Sequence, residues 1–183
     1  PSSYPQGAEK VLIHSTTGII AEEGKLPSDY GIIVMNVSTA AFIYKYSVTG
    51  EPLISRRITI DGTAVKNPLN VIAPIGTPVS ALLEFSDTDT NKIRKLIAGG
   101  PMMGSCLIST DTPVVKTSNS FLAMAEYNEI KPTACIRCAR CINACPMSLM
   151  PTELEKAYHR KDINALLKLK VNLCINCGAC TYV

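Results

Sequence analysis

A chain of 183 residues is long enough for one or two domains, and its 46% hydrophobic and 18% charged content excludes the disordered class. No apolar run approaches the roughly 18 residues that a membrane span requires, and a net charge of +3 gives no ground for a nucleic-acid partner. Cys106 is the one cysteine upstream of residue 135, and the other seven crowd between Cys135 and Cys180. A secreted disulfide scaffold would spread its pairs along the chain, so these thiols are read as reduced and kept for metal.

In chain order, residues 4–52 read as mixed α/β. An apolar segment at 10–20 precedes turn signals around Gly24 and Pro27, and residues 31–36 have the β-branched pattern of a buried strand. A short helix should follow, capped by Asn36 or Ser38. The corner at 36–39 is where a ligand would meet backbone amides; an ordinary strand end and cap is the plainer reading. In 54–60, Ile58 and Ile60 alternate with polar neighbours, and Asp61-Gly62 signals a hairpin. The next extended segment, 65–75, carries Pro68 and Pro74, which belong at a sheet edge. Thr77 is then a candidate helix cap with Pro78 in the first turn and Val79, Leu82 and Leu83 as the apolar face. A strand at 95–98 ends in Gly99-Gly100-Pro101, and the block resembles a small β-grasp module without nucleophile or paired carboxylates. Residues 110–125 read as an extended or turn-rich connection, and 126–132 as a domain boundary.

The cysteines supply the strongest signal. Cys135, Cys138, Cys141 and Cys145, followed by Pro146, spell C-x2-C-x2-C-x3-C-P; Cys174, Cys177 and Cys180 repeat its first three positions. This is the spacing of two-cluster [4Fe–4S] ferredoxins, in which three cysteines hold one cluster and the fourth ligates the other. Crossed in this way, Cys174, Cys177 and Cys180 are completed by Cys145, whereas the cluster of Cys135, Cys138 and Cys141 takes its last ligand from beyond Val183. Structural zinc would prefer two separated C-x2-C pairs, and gives the Cys-Pro no role.

Between the motifs, Pro151 opens a helix with acids in its first turn and Leu154, Ala157 and Tyr158 on one face. Asp162 caps a second helix with Ile163, Leu166 and Leu167 inward. A helical hairpin between cluster loops points to an α-helical ferredoxin arrangement. Residues 132–183 carry a net +4 against −1 for the rest. Cations beside an anionic cluster ease its burial and raise its potential, a role assigned to Arg137 and Arg140 inside the first loop; the lysines fit a solvated surface equally well. His14 and His159 lack ligand spacing and are read as surface or core residues, Cys106 as a buried inert thiol, and Met102 and Met103 as packing.

Tyr4-Pro-Gln-Gly-Ala-Glu-Lys10, Asn36-Val37, Val65-Lys-Asn-Pro68, Ile75-Gly-Thr-Pro78, Gly99-Gly-Pro-Met-Met-Gly104 and both cysteine motifs together resemble the RnfC family, the C subunits of the Rnf electron-transport complexes. That family is similar to the flavin-bearing, NADH-oxidising subunit of respiratory complex I. The resemblance implies an α+β fold of three parts: residues 1–52 from a flavin-binding α/β domain, 53–125 as a soluble-ligand-binding β-grasp block and connection, and 126–183 as an α-helical two-cluster ferredoxin domain. It implies two [4Fe–4S] clusters, with FMN and NAD in the parent protein, and Gly7, Glu9, Asn36, Val37 and Thr39 as flavin-site residues. Ala8, Met35 and Ser38 depart from the family pattern, and the phosphate-cradling glycine loop would lie upstream of Pro1, so flavin should bind this piece weakly.

Both ends are read as cuts in a longer protein, and the piece alone as inactive. The implied function is electron transfer in a ferredoxin:NAD oxidoreductase coupled to ion translocation. The implied partners are the membrane subunits of the complex, ferredoxin-type redox proteins and NAD(H), with a cytoplasmic location peripheral to the inner face of the membrane. One alternative is a soluble relative feeding a substrate reductase, such as a proline or cobalamin reductase. Another is an assembly or binding module whose clusters are structural.

Overall fold

The computed structural model describes residues 4–126, 131 and 133–183. In chain order its elements are α1 (Glu9–Thr17), α2 (Val37–Thr49), β1 (Ser55–Asp61), β2 (Leu69–Pro74), α3 (Val79–Phe85), β3 (Lys95–Ala98), β4 (Ser105–Cys106), β5 (Ser120–Met124), α4 (Arg140–Asn143), α5 (Pro151–His159), α6 (Ile163–Lys168) and α7 (Ala179–Tyr182). The chain is mixed α and β, and forms two compact units: Met35–Lys131, and a second made of Pro1–Val34 with Pro132–Val183.

The first unit is built on a five-stranded sheet in the order β2-β1-β5-β3-β4. β1 and β5 run parallel in the centre, while β1/β2, β3/β5 and β3/β4 are antiparallel. Alternation along β1 sends Ile58 and Ile60 inward, and both are fully buried. They meet Phe121 and Ala123 of β5 and Val79, Leu82 and Leu83 of α3 in one apolar core. The first amides of α3 have no side-chain cap. Instead Val79 N donates to Thr112 O at 3.0 Å and Ser80 N to Thr110 O at 2.8 Å, so the crossing loop satisfies the helix end. Gly62 is required where β1 ends: its φ is +120°, and a β-carbon there would collide with the Ala123 carbonyl.

Several expectations are corrected. Residues 31–36 form no strand. Gly31 terminates a 3-10 turn at Pro27–Tyr30 with φ +70°, and Ile33 is largely exposed; among the described residues this stretch has no ladder partner, and β-branched composition alone cannot make a strand. The opposite error is at 120–124. A stretch read as connection is the strand β5, because Phe121 and Ala123 fill the core between β1 and β3. Thr77 does not cap α3: its carbonyl accepts from Val114 N, and Pro78 takes the cap position. Asp61-Gly62 does precede an antiparallel partner, but through a loop running to β2 instead of a two-residue turn. Pro74 ends the edge strand β2, where a missing amide costs no ladder bond. Cys106 and Met103 are exposed, since the short β4 lies at the other edge. The expected boundary at 126–132 falls mostly outside the described residues.

In the second unit, α1 buries Ile13 and stops at Gly18, whose φ of 76° lets its amide reach His14 O. α5 and α6 pack against each other, and Asp162 caps α6 by accepting from Ala165 N at 2.9 Å. Ala157 is the fully buried contact of α5 and Leu166 is half-buried, but Tyr158, Ile163 and Leu167 are exposed, because two short helices enclose only a narrow seam. His14 and His159 are both exposed.

The first unit's core predicts a sharp contrast in urea denaturation. Phe121→Ala should cost about 3–5 kcal/mol, the range for emptying a buried aromatic site. Ile72→Ala, on the neighbouring edge strand and 68% exposed, should stay within about 0.5 kcal/mol of the parent.

Candidate functional site

The two cysteine loops share one backbone. In the first, Arg137 and Ala139 have φ of 58° and 63°; in the second, Asn176 and Gly178 have 53° and 74°. These are the same positions relative to Cys135 and Cys174. Each second left-handed residue is the cap of a short helix, Ala139 for α4 and Gly178 for α7, and these two helices pack on each other. Left-handed residues set two apart in this way are the backbone pattern of nests, in which successive N–H groups turn to one side and receive anions and iron–sulfur clusters. Two amides already point at thiol sulfur: Arg137 N lies 3.4 Å from Cys135 Sγ and Leu149 N 3.4 Å from Cys145 Sγ.

A cavity of about 360 Å³ lies in this unit, and Cys145, Cys174, Cys177 and Cys180 all line it. Its remaining wall is largely apolar, with Pro146, Leu149, Leu154, Leu166, Val171 and Ile175. The hairpin of α5 and α6 carries the chain from Cys145 back to the loop that begins at Cys174. Cys135, Cys138 and Cys141 do not line this cavity. Cys135 and Cys138 are exposed, Cys141 is half-buried, and Cys177 is buried. All eight cysteines are free thiols. Among the described residues no three Cys, His, Asp or Glu side chains converge on a single ion site. Four thiols spaced around an apolar cavity, one of them with the Leu149 amide aimed at its sulfur, fit a cluster that offers each thiolate its own iron.

Charge near the first loop is partly compensated. Lys156, hydrogen-bonded to Glu153 at 2.7 Å, holds that carboxyl below its ordinary range, with Arg160 and Arg137 adding to the effect. At the second loop, the Tyr4 hydroxyl donates to the Cys177 carbonyl at 2.6 Å. Partial burial, and then a Coulombic interaction with Cys177, push the Tyr4 phenol above its ordinary range.

The flavin-site candidates are divided between the two units. Gly7 and Glu9 are exposed at the start of α1. Asn36, Val37 and Thr39 sit together at the start of α2, where Asn36 Oδ1 accepts from Ser38 N at 2.8 Å and Val37 is 79% exposed. Sequence reasoning overlooked the paired left-handed residues, although setting the motifs one above the other aligns Ala139 with Gly178 and would have found them. It also overlooked Tyr4, for which a contact spanning 173 positions leaves no local signal.

Residues 1–45 match the Nuo51 FMN-binding domain family and residues 127–183 the 4Fe-4S dicluster domain family. The chain thus carries one stretch similar to an FMN-binding domain and another similar to a 4Fe-4S dicluster domain. The chain resembles the C subunits of the Rnf-type, ion-translocating oxidoreductase complexes along nearly all its length. It is 41% identical over 94% of its residues to the C subunit of the proton-translocating ferredoxin:NAD(+) oxidoreductase complex of Clostridium ljungdahlii, covering 38% of that protein. It is 43% identical over 88% to the C subunit of the ion-translocating oxidoreductase complex of Vibrio cholerae, covering 21% of it. Against the C subunit of the Na(+)-translocating ferredoxin:NAD(+) oxidoreductase complex of Acetobacterium woodii the identity is 38% over 87%, covering 36%. The chain therefore spans between about a fifth and two-fifths of the length of these relatives.

The shared loop backbone predicts opposite responses to a single methyl group. Gly178→Ala should destabilise the apo protein by about 1 kcal/mol, because a β-carbon is penalised in the left-handed region. Ala139→Gly relieves that penalty in the first loop and should leave stability unchanged or higher in the same thermal melt.

Proposed function

We propose that this chain is the iron–sulfur electron-transfer portion of the RnfC-type subunit of an ion-translocating ferredoxin:NAD oxidoreductase, and that its seven clustered cysteines ligate two [4Fe–4S] clusters. The observation that carries the reading is one cavity lined by Cys145 from the first motif and Cys174, Cys177 and Cys180 from the second. That grouping is the crossed pattern of two-cluster ferredoxins. Cys135, Cys138 and Cys141 are assigned to the other cluster.

Bound clusters would supply reversible one-electron carriers. The residues of this chain set their conditions. Leu149, Leu154, Leu166 and Val171 give the second site apolar walls, while the Arg137 and Leu149 amides, aimed at the Cys135 and Cys145 sulfurs, would favour the more negative, reduced state. Arg137 and Arg140 place positive charge inside the first loop.

The further assignments follow the relatives. FMN and NAD belong to the whole protein, with Gly7, Glu9, Asn36, Val37 and Thr39 as flavin-site residues. Electrons pass between that flavin, partner subunits and ferredoxin-type proteins, and the whole protein lies on the cytoplasmic face of the membrane. No helix among the described residues is long and apolar enough to cross a membrane, which accords with attachment through partners. The three-part division at 1–52, 53–125 and 126–183 belongs to the same proposal. Within it the parallel pairing of β1 and β5 beside a β1/β2 hairpin, with α3 between β2 and β3, supports a β-grasp reading of the sheet.

Anaerobic reconstitution with iron and sulfide tests the ligand assignment. Cys145→Ser should remove about four irons, the content of one cubane, together with one electron paramagnetic resonance signal. Cys135→Ser should spare that signal, and Cys106→Ser should change neither. Equal iron loss from Cys106→Ser, or stoichiometric zinc without sulfide in the parent, would refute the proposal.

A further inference from the structure

We infer that Tyr4 is a positioning residue for the cluster site of the second loop, fixing the peptide that follows Cys177 and linking the segment around α1 to that site. The inference rests on the ligand assignment proposed above and deepens it. Its observations are independent of the cysteine spacing.

The Tyr4 hydroxyl donates to the Cys177 carbonyl at 2.6 Å, a short bond for a neutral donor. That carbonyl belongs to the peptide joining Cys177 to Gly178, whose φ of 74° makes the left-handed turn on which the nest depends. Cys177 is the one buried cysteine of the seven and lines the four-cysteine cavity. A second tie lies on the other side of Cys174, where Asn172 Nδ2 donates to Glu23 Oε1 at 3.3 Å. A further cavity of about 490 Å³ is walled by Lys10, Val11 and His14 of α1 on one side and by Pro146, Met147 and Leu173 on the other. The segment 4–23 thus touches the chain beside both Cys145 and the second loop. Among the described residues, no side chain of 4–23 makes a bond of this kind to a carbonyl of the first loop.

The physical consequence is specific. A phenol on the carbonyl of a ligand-bearing peptide draws electron density from that amide and stops the carbonyl from turning toward the cavity. The outer hydrogen bonds of a metal site tune its potential and its hold on metal. Removing this one should lower the potential of the second-loop cluster, because the reduced state loses a stabilising dipole. The same change should weaken retention of its iron by about tenfold or more. Neither effect should reach the cluster of Cys135, Cys138 and Cys141.

The test uses the full-length protein with its clusters, purified without oxygen. Its two paramagnetic signals are first distinguished by Cys145→Ser and Cys135→Ser. Tyr4→Phe keeps the ring and deletes only the donor. The expected result is a lower midpoint potential, an altered line shape or faster iron loss to a chelator for the signal that Cys145→Ser abolishes, with the other signal unmoved. Glu23→Gln, which keeps a hydrogen-bonding side chain, serves as the mild control. Unchanged potential and iron retention in Tyr4→Phe would overturn the inference while leaving the cluster assignment standing, as would equal changes in both signals. If the parent protein takes up no cluster, the ligand assignment itself fails.

Discussion

The cysteine unit depends on one constraint: Cys145 must stand beside a loop that begins at Cys174. A thiolate at the end of a tight loop cannot turn back into the nest that its three neighbours occupy, so its partners have to come from elsewhere in the chain. The hairpin of α5 and α6 provides the return path, with Pro151 starting one helix and Asp162 capping the next. Once that path closes, α4 meets α7. The fourfold grouping of cysteines is therefore a result of helix lengths and caps as much as of cysteine spacing.

The two units differ in what holds them. Around the sheet, a continuous core runs from Ile58 and Ile60 through Phe121 to the buried face of α3. Burial of this kind stabilises a small domain without help. In the cysteine unit the buried apolar residues among those described are few and scattered: Ile13, Leu149, Ala157, Cys177 and Ala179. Helices as short as α4 and α7 are marginal by themselves, and Tyr158, Ile163 and Leu167 leave apolar surface in water. Where a core is this thin, metal ligation contributes folding free energy as well as chemistry. On the proposed assignment, the cavity among the four cysteines is a place the polypeptide leaves for an inorganic core, and the apo protein should be the looser state.

Local chemistry explains how much of this was legible. Caps and alternation are written in adjacent residues, so the helix after Asn36, the helix after Asp162, the strand at Lys95–Ala98 and the inward Ile58 and Ile60 could all be read. Pairing is not written locally. Ser120–Met124 has weak strand propensity and becomes a central strand because a gap between β1 and β3 needs Phe121 and Ala123. The β-branched run at 31–36 had propensity but, among the described residues, no ladder partner, and so formed no strand. At the site, spacing alone pointed to the cysteines, since the proposed cubanes would dictate it. The Tyr4 bond and the crossing loop at 110–114 depend on distant segments meeting, and no local pattern announces either.

Because the two loops have the same backbone, any difference between them must come from side chains and exposure. The first carries Arg137 and Arg140 where the second has Asn176 and Ala179, and its Cys138 is exposed where the matching Cys177 is buried, while Cys135 and Cys174 are both exposed. Positive charge and access to water both favour the more negative state of a bound cluster, so both raise its potential. Glu153 offsets part of the cationic field, but Lys156 already engages that carboxylate, which limits what it can subtract. Identical clusters held in these two loops would therefore sit at unequal potentials, the arginine-bearing loop above the other. Duplicating a loop and then changing two side chains is enough to turn a pair of equivalent sites into a downhill step.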